Sequence, residues 1–277
     1  MTFITTSDGT QIFYRDLGDK SAQPIVFSHG WPLSSDDWEH QITTFVKLGY
    51  RCVAHDRRGH GRSSQPSEGN DMDTYADDLL AILEKLNLTN IILVGHSTGG
   101  GEVARFLGRH GSEKVSRAVL ISAVAPLMVK TEGNPEGLPV TVFDSFRDAM
   151  LKDKAQFFID VPSGPFFGFN RPGATVSQGR IWQWWHQGML CGFENAFECI
   201  RAFSETDLST DVERIDIPVL ILHGDDDQVV PIEASARKTI KLLKNGTLKE
   251  IPGGPHGLHT IFPDDVENEI VNFLGST

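Results

Sequence analysis

The sequence predicts an α/β fold, a mostly parallel twisted sheet flanked by helices, with an inserted helical cap. Short apolar runs alternate with amphipathic helical segments over residues 1–125 and again over 212–277, the pattern of a parallel sheet covered on both faces. Between them, residues 126–211 hold ten of the 17 phenylalanines and three of the five tryptophans, but no convincing buried strand. We therefore predict a core domain formed by 1–125 and 212–277, with 126–211 as a helical cap.

The first part of the core begins with a hairpin and continues as alternating strands and helices. An Asp-Gly turn at residues 8–9 joins the strands 3–6 and 11–16. Helical spacing of Tyr75, Leu79 and Ile82 predicts an amphipathic helix. The other elements predicted here are strands at 24–28, 51–54, 90–94 and 115–123, and helices at 37–48, 74–86 and 102–109.

The cap and the end of the chain complete the prediction. Helices are expected in the cap at 141–159 and 181–203, joined by a Gly/Pro-rich stretch at 162–173. The alternation then resumes with strands at 217–222 and 247–251 and helices at 232–243 and 264–274. Most cap aromatics must form the cap's own core, but a few should line a pocket beneath it. We predict that the pocket is lined by Trp31, Pro32, Phe143, Phe158 and Trp182.

Composition excludes several classes of function. The 277 residues are 39% hydrophobic and 22% charged, with a formal net charge of −12. This charge disfavours nucleic acids and anionic membranes as partners. No run of 18 apolar residues suggests a spanning helix, and the first residues lack the basic and apolar regions of a signal peptide. We expect a cytoplasmic protein, and the sequence leaves a homo-oligomer open.

Cysteine and histidine spacing argues against disulfides and metals. Cys52, Cys191 and Cys199 are few and odd in number, which favours reduced thiols. A Cys191–Cys199 disulfide has little support. The ten histidines include no His-x-x-x-His or similar spacing, so no metal site is expected.

The clearest chemical signal is at residues 95–99, Gly-His-Ser-Thr-Gly. An apolar strand precedes this pentapeptide and a helix follows it, which is the context of a nucleophile elbow with Ser97 at its tip. The neighbours Gly95 and Gly99 must lack side chains for the turn to close. An ordinary Gly-rich strand-to-helix turn is the alternative, and the other motifs decide against it.

A nucleophilic serine needs a histidine base that is oriented by a carboxylate. On this architecture, the acid and then the histidine follow the serine in the chain. Three consecutive aspartates at 225–227 follow one late strand, and we predict that Asp227 is the acid and that the other two form the turn. His256 is the predicted base, with His259 as the alternative.

The tetrahedral intermediate also needs two hydrogen-bond donors for its oxyanion. One should be the backbone N–H of Thr98, directly after the nucleophile. The other should come from the His-Gly-Trp-Pro loop at residues 29–32. Because Pro32 has no N–H, Trp31 is the natural donor. The sequence does not decide whether the Trp31–Pro32 bond is cis or trans.

Two other motifs could indicate nucleotide or phosphate binding. Residues 99–104 match the dinucleotide pattern Gly-x-Gly-x-x-Ala, but they begin four residues beyond the strand end, after the turn occupied by Ser97. The charged loop 56–62 could bind phosphate, but we expect it to be a structural turn whose arginines pair with carboxylates. No phosphate-binding GxxxxGK[ST] motif occurs.

Taken together, the motifs resemble those of the α/β-hydrolase superfamily, and within it the cofactor-free haloperoxidase, perhydrolase and aryl esterase group. The resemblance covers essentially the whole chain and departs from some members at His96, where they carry phenylalanine. It rests on five segments: His-Gly-Trp-Pro at 29–32, Asp-Arg-Arg-Gly-His-Gly-Arg-Ser at 56–63, Gly-His-Ser-Thr-Gly-Gly-Gly-Glu-Val at 95–103, His-Gly-Asp-Asp-Asp-Gln-Val-Val-Pro at 223–231, and Pro-His-Gly at 255–257.

The resemblance implies a hydrolase of aryl or short-chain carboxylic esters that works through an acyl-serine. It also implies perhydrolysis, in which hydrogen peroxide replaces water and the resulting peracid oxidises bromide or chloride away from the enzyme. The expected partners are a small-molecule ester or carboxylic acid, with peroxide and halide as candidate co-substrates. No haem, metal or other cofactor is implied.

Other functions on the same fold stay open at this point. A lactonase, an amidase or a carbon–carbon bond hydrolase would keep the same triad, and a non-catalytic ligand receptor could retain it. Epoxide hydrolases and haloalkane dehalogenases use an aspartate nucleophile where this chain has Ser97. Epoxide hydrolases also use cap tyrosines, whereas Tyr14, Tyr50 and Tyr75 lie outside the predicted cap.

Overall fold

The computed structural model describes residues 2–275. Its strands are β1 Thr2–Thr5, β2 Gln11–Leu17, β3 Pro24–Ser28, β4 Arg51–His55, β5 Ile91–His96, β6 Val115–Ile121, β7 Val219–Gly224 and β8 Gly246–Ile251. Its α-helices are α1 Glu39–Lys47, α2 Met72–Lys85, α3 Thr98–His110, α4 Val140–Ser163, α5 Gln178–Leu190, α6 Phe193–Glu205, α7 Ser209–Arg214, α8 Ala236–Leu242, α9 Leu258–Ile261 and α10 Pro263–Gly275. A 3₁₀ turn, Ser35–Trp38, precedes α1.

One eight-stranded sheet runs through the core in the order β1-β2-β4-β3-β5-β6-β7-β8. The hairpin strand β2 pairs antiparallel with β1 and β4, and the strands from β4 to β8 pair in parallel. The carboxyl ends of β3, β5, β7 and β8 therefore meet at one edge, where open α/β sheets place their sites. This architecture confirms the predicted fold class.

Two buried apolar clusters hold helices against the faces of the sheet. On one face, α1 and α10 contribute residues such as Phe45 and Ile270. On the other face, α2, α3 and α8 contribute residues such as Leu79 and Phe106. The start of α2 is capped by Asp71, whose carboxylate accepts a hydrogen bond from the backbone N–H of Thr74 at 2.9 Å.

A third apolar cluster lies between the core and the helices α4–α6. It joins Trp31 and Val230 to side chains of these helices that include Phe158, Trp184 and Phe203. The indole N–H of Trp31 donates to the carbonyl of Ala196 at 2.9 Å, which ties the 29–32 loop to the helical segment. The predicted boundary of the cap at residue 211 falls inside α7.

The predicted helix at 181–203 is wrong, because the structure has two helices there. The first ends at Leu190, Cys191 adopts an extended ψ of 133°, and α6 starts at Phe193. The N–H of Gly192 donates to the carbonyl of Gly59 in the charged loop at 2.9 Å. This tertiary contact replaces the helical hydrogen bond, and periodicity does not reveal the break because both helices bury side chains in the same cluster.

The helix predicted at 232–243 begins later than expected. Residues 232–235 form successive turns, in which the N–H groups of Ala234 and Ser235 bond to the carbonyls of Pro231 and Ile232. The hydroxyl of Ser235 also donates to the carbonyl of Pro231, so this segment is already satisfied outside a helix. In α4, a non-helical conformation at Asp153 kinks the long helix.

Three further findings concern the cysteines, membrane spans and proline bonds. The three cysteines are free, as predicted, and all three are buried. None of the helices within residues 2–275 is long and apolar enough to cross a membrane. The Trp31–Pro32 and Ala125–Pro126 peptide bonds are both cis.

Candidate active site

Ser97 lies at the tip of a sharp turn between β5 and α3. Its φ of 54° and ψ of −119° place a non-glycine residue in a sparsely populated region, as a nucleophile elbow requires. A Cβ at Gly95 would lie 2.3 Å from the carbonyl oxygen of Gly99. A Cβ at Gly99 would lie 2.1 Å from the carbonyl oxygen of Ser28 in β3. Backbone atoms thus occupy the space at both glycines, which is why the turn closes only with hydrogen there.

We expect Gly99→Ala to destabilise the protein by about 4 kcal/mol or more, because the rigid backbone of β3 cannot yield to the new methyl group. The measurement is the free energy of unfolding in urea. Gly179→Ala is the matched control, since Gly179 is helical and its nearest neighbour would lie at 4.0 Å. A stability of Gly99→Ala equal to that of the control would contradict this account of the elbow.

The structure brings together the three side chains predicted to form the triad. The Nε2 atom of His256 lies 2.9 Å from the Oγ atom of Ser97. The Nδ1 atom of the same ring lies 2.8 Å from the Oδ2 atom of Asp227. All three residues are buried. A serine, a base and an orienting carboxylate are therefore connected by two hydrogen bonds in series.

The surroundings of Asp227 keep it ionised. Its Oδ1 atom accepts hydrogen bonds from the backbone N–H groups of Val229 at 2.9 Å and Val230 at 2.8 Å. Burial alone would raise the pKa of Asp227, but the neighbouring rings of His256 and His223 outweigh burial and hold it well below its ordinary value. A carboxylate fixed in this way can orient the imidazole and stabilise its protonated form.

The other candidates for the triad acid and base make different contacts. Asp225 accepts a hydrogen bond from the N–H of Gly253 at 2.6 Å, and Asp226 pairs with the guanidinium of Arg171. Both side chains therefore bond to distant loops rather than within their own turn, so the turn interpretation is wrong for their side chains. His259 bonds to a different carboxylate, with its Nε2 atom 2.9 Å from Oδ2 of Asp37.

Trp31 and Thr98 line the same cavity as Ser97. Thr98 is the first residue of α3, so its N–H has no acceptor within the helix. Trp31 follows β3, the strand adjacent to β5. The positions of both residues next to Ser97 are compatible with the predicted oxyanion hole, which stays a prediction.

A cavity of about 350 Å³ opens beside Ser97 and His256. Of the five predicted lining residues, Trp31 and Phe143 do line it. The prediction is wrong for Trp182, which is 48% exposed and packs against Trp185 on the outer side of α5. Residues two apart on a helix face nearly opposite sides, so it is Trp184 that faces the cavity.

Pro32 and Phe158 are also not among the lining residues. Phe158 is fully buried behind the cavity wall, where its ring contacts those of Trp31 and Trp184 edge-on, with centroids 5.7 and 5.6 Å away. Pro32 packs beneath the same wall, close to Gly188 of α5. Both support the pocket without touching its space.

Several lining residues escaped the sequence analysis. Phe166 is the most important, because its ring contacts that of His256 edge-on at 5.1 Å and its carbonyl accepts a hydrogen bond from the N–H of Gly257 at 2.7 Å. In the sequence, Phe166 is marked only by its place in the Gly/Pro-rich stretch at 162–173. The further apolar lining comes from Val124, Met128, Phe146, Phe157, Val161 and Phe203.

The charged loop after β4 is a structural turn, as predicted, and its arginines pair with carboxylates. Arg57 contacts Glu102 of α3 at 2.7 Å, and Arg58 contacts Asp78 of α2 at 2.6 Å. Glu102 also accepts from the hydroxyl of Ser28 at 2.9 Å. These buried contacts join the loop to α2 and to α3, the helix that follows the elbow.

Removing one charge of the Arg57–Glu102 pair should lower the free energy of unfolding. Burial raises the pKa of Glu102, but Arg57 and His55 outweigh it and lower that pKa from 4.5 to about 2. Glu102→Gln leaves the Arg57 charge buried without its partner, so we expect a loss of about 3 to 5 kcal/mol of unfolding free energy at pH 7. Urea unfolding measures it, and an unchanged stability would contradict the pairing.

The same pair predicts a pH dependence with a definite sign. A lowered folded-state pKa stabilises the protein above the unfolded value near 4.5, and this stabilisation is lost as the pH falls towards 2. The stability gap between wild type and Glu102→Gln should therefore shrink over that window. Glu250→Gln is the control, since its pair with Arg237 is exposed, is screened by solvent and should contribute little to stability.

The fold and the elbow define a class of protein. A strand-turn-helix with a serine at the tip, on the carboxyl edge of a mostly parallel sheet, is the core of the α/β-hydrolase fold. The family model described as "alpha/beta hydrolase fold" matches residues 23–262. The chain therefore belongs to the α/β-hydrolase family.

Full-length relatives narrow the class further. A non-heme haloperoxidase from Rhodococcus erythropolis is 56% identical over 276 residues, with 100% of both chains covered. A bifunctional esterase/perhydrolase from Acinetobacter calcoaceticus is 53% identical, again with 100% of both chains covered. The crystal structure of a bromoperoxidase from Bacillus anthracis superposes with a TM-score of 0.92 at 36% identity, covering 99% of both chains.

Proposed function

We propose that this protein is a serine esterase that also performs perhydrolysis, and so acts as a cofactor-free haloperoxidase. The observation that carries the proposal is the series of hydrogen bonds from Ser97 through His256 to Asp227, at 2.9 and 2.8 Å, beside a cavity open to the serine. The names of relatives that are 53–56% identical support the same chemistry.

Acylation follows from the positions of these atoms. His256 takes the proton of Ser97 through Nε2 as the hydroxyl oxygen attacks the ester carbonyl. The backbone N–H groups of Trp31 and Thr98 donate to the oxyanion that forms. The intermediate collapses to an acyl-serine, and the protonated His256 gives its proton to the departing alcohol.

Deacylation repeats these steps with a second nucleophile. Water, deprotonated by His256, releases a carboxylic acid, whereas hydrogen peroxide at the same position releases a peracid. The peracid then transfers its terminal hydroxyl oxygen to bromide or chloride in solution, which returns the carboxylate and gives a hypohalous acid. The steps on the enzyme use only the triad, the two proposed donors, the ester and the second nucleophile.

We propose that residues 126–211 act as a cap that defines the acyl pocket. The cavity wall is mostly aromatic and aliphatic, and its volume of about 350 Å³ suits an aryl or short-chain acyl group. Trp184 and Phe166 of the cap, with Trp31 of the core, keep the space around the carbonyl carbon apolar. The partners we propose are small esters and carboxylic acids, with peroxide and halide as co-substrates.

The proposal is tested with a panel of aryl and alkyl esters, with and without hydrogen peroxide and bromide. We expect ester hydrolysis without peroxide, and bromination of a phenolic dye only when peroxide and a carboxylate or ester are both present. A serine-directed phosphonate probe should label Ser97 and abolish both activities. Bromination without any carboxyl compound, or activity that survives complete labelling, would refute the mechanism.

A further inference from the structure

A second cluster of chemistry-bearing side chains lies behind His256 and takes no part in the mechanism above. Asp37 comes from the 3₁₀ turn, His96 from the end of β5, and His259 from α9. One carboxylate oxygen and one nitrogen from each ring lie within 4.8 Å of one another. His96 and His259 are fully buried, and the side chain of Asp37 is 8% exposed.

The orientation of His96 leaves a lone pair facing this cluster. Its Nε2 atom lies 3.0 Å from the backbone carbonyl oxygen of His256. A carbonyl oxygen only accepts, so in the neutral ring the proton sits on Nε2 and Nδ1 carries a lone pair. Within residues 2–275, Nδ1 has no hydrogen-bond partner, and it lies 3.9 Å from Oδ2 of Asp37.

A buried lone pair opposite a carboxylate oxygen is an unusual arrangement, because two acceptors face each other with no donor between them. Gly30 passes close to this ring, and a Cβ there would lie 2.8 Å from Nδ1 of His96, so the lack of a side chain at Gly30 leaves the nitrogen uncovered on that side. A group with positive charge would satisfy both acceptors at once.

We propose that Asp37, His96 and His259 form a binding site for a divalent transition-metal cation of the Zn²⁺ type. The ligands would be Nδ1 of His96, Nε2 of His259 and the carboxylate of Asp37. With metal–ligand bonds of about 2.0–2.1 Å, neighbouring ligand atoms in such a site lie roughly 3 to 3.4 Å apart. The present separations from Oδ2 of Asp37, 2.9 Å to His259 and 3.9 Å to His96, bracket that range.

Binding moves the proton of His259 from one ring nitrogen to the other. In the present arrangement His259 donates from Nε2 to Asp37. The other ring nitrogen, Nδ1, has no partner within the described chain, so the ring can carry its proton there while Nε2 binds the cation. Two neutral imidazoles and one carboxylate are a common ligand set for such cations and leave further coordination positions for water.

His96 already has the outer contact that metal-bound histidines usually have. Such rings donate their second N–H to a carboxylate or a backbone carbonyl, which fixes the tautomer. Here the acceptor is the carbonyl of His256, so the cation would be linked to the loop of the general base through one hydrogen bond. Asp37 and His259 also line a separate cavity of about 240 Å³, which gives a path from solvent.

The test uses the full-length protein after dialysis against a chelator. Calorimetric titration with Zn²⁺ and with Co²⁺ should show that each protein molecule binds one cation tightly. His96→Phe should abolish this binding or raise its dissociation constant by more than the roughly 10- to 100-fold that loss of an outer contact causes. His186→Phe is the matched control, since His186 is exposed on α5, and it should retain this binding.

A second measurement does not depend on how the variants fold. X-ray absorption at the zinc edge of the loaded wild-type protein should show two imidazole ligands and at least one oxygen ligand. Wild type that binds no more zinc than His96→Phe, or a spectrum with one imidazole or none, would overturn the proposal. Full retention of binding in Asp37→Asn together with His259→Gln would also overturn it.

Discussion

Ser97→Ala is expected to lower kcat for an aryl acetate by roughly 10⁴- to 10⁶-fold, the range seen when a triad serine is removed. The reason is specific to the geometry. Ser97 carries the only oxygen at the tip of the elbow that lies within 2.9 Å of Nε2 of His256, in the part of the chain that the structure describes. Alanine keeps the backbone turn and the two proposed oxyanion donors, so substrate binding should change little. Steady-state kinetics with purified protein measure kcat and KM.

The loss should be the same for both proposed activities. If one acyl-serine serves water and peroxide, ester hydrolysis and peroxide-dependent bromination must fall in parallel in Ser97→Ala. Ser204→Ala is the control, since this buried hydroxyl only donates to the carbonyl of Ile200 in its own helix. Bromination that persists while esterase activity disappears would separate the two reactions and contradict a shared site.

Much of the site could be predicted because each residue follows a strand. Trp31, Ser97, Asp227 and His256 come after β3, β5, β7 and β8, and the carboxyl ends of parallel strands meet at one edge. The fold class is confirmed for the same reason, since the alternation of strands and helices is a local pattern. The assigned chemical roles are predictions that the kinetics above must test.

What escaped prediction depends on contacts between distant segments. The break at Gly192 is fixed by a hydrogen bond to Gly59, and the choice of Trp184 over Trp182 depends on how α5 is rotated over the core. Composition predicts an aromatic-rich helical segment but does not say which side of each helix faces inward.

The cluster of Asp37, His96 and His259 shows the same limit. Its members come from three separated segments, whereas the sequence search for metal sites relied on local spacing. The unpartnered Nδ1 atom that points to a cation becomes visible only when the carbonyl of His256 fixes the ring. The geometry of these distant segments therefore supports a metal site, which the spacing of histidines in the sequence argued against.

Asp227→Asn is expected to lower kcat about 10⁴-fold while the protein stays folded. The hydrogen bonds around the carboxylate determine how the new amide lies. Its oxygen must take the Oδ1 position, where the N–H groups of Val229 and Val230 donate. Its NH₂ group then faces Nδ1 of His256 and donates to it, so the imidazole proton moves to Nε2. A ring protonated at Nε2 cannot accept the proton of Ser97.

The neighbouring aspartate provides a control with the same change of charge. Asp226→Asn removes an exposed contact with Arg171 and leaves both hydrogen bonds of His256 intact, so kcat should stay within about tenfold of wild type. Nitrogen NMR of His256 labelled with ¹⁵N should show the proton on Nδ1 in wild type and on Nε2 in Asp227→Asn. A large kinetic loss without this tautomer change would mean that the carboxylate acts through its charge alone. Equal activity of Asp227→Asn and Asp226→Asn would exclude Asp227 as the triad acid, because the two variants differ only in which of these adjacent carboxylates is lost.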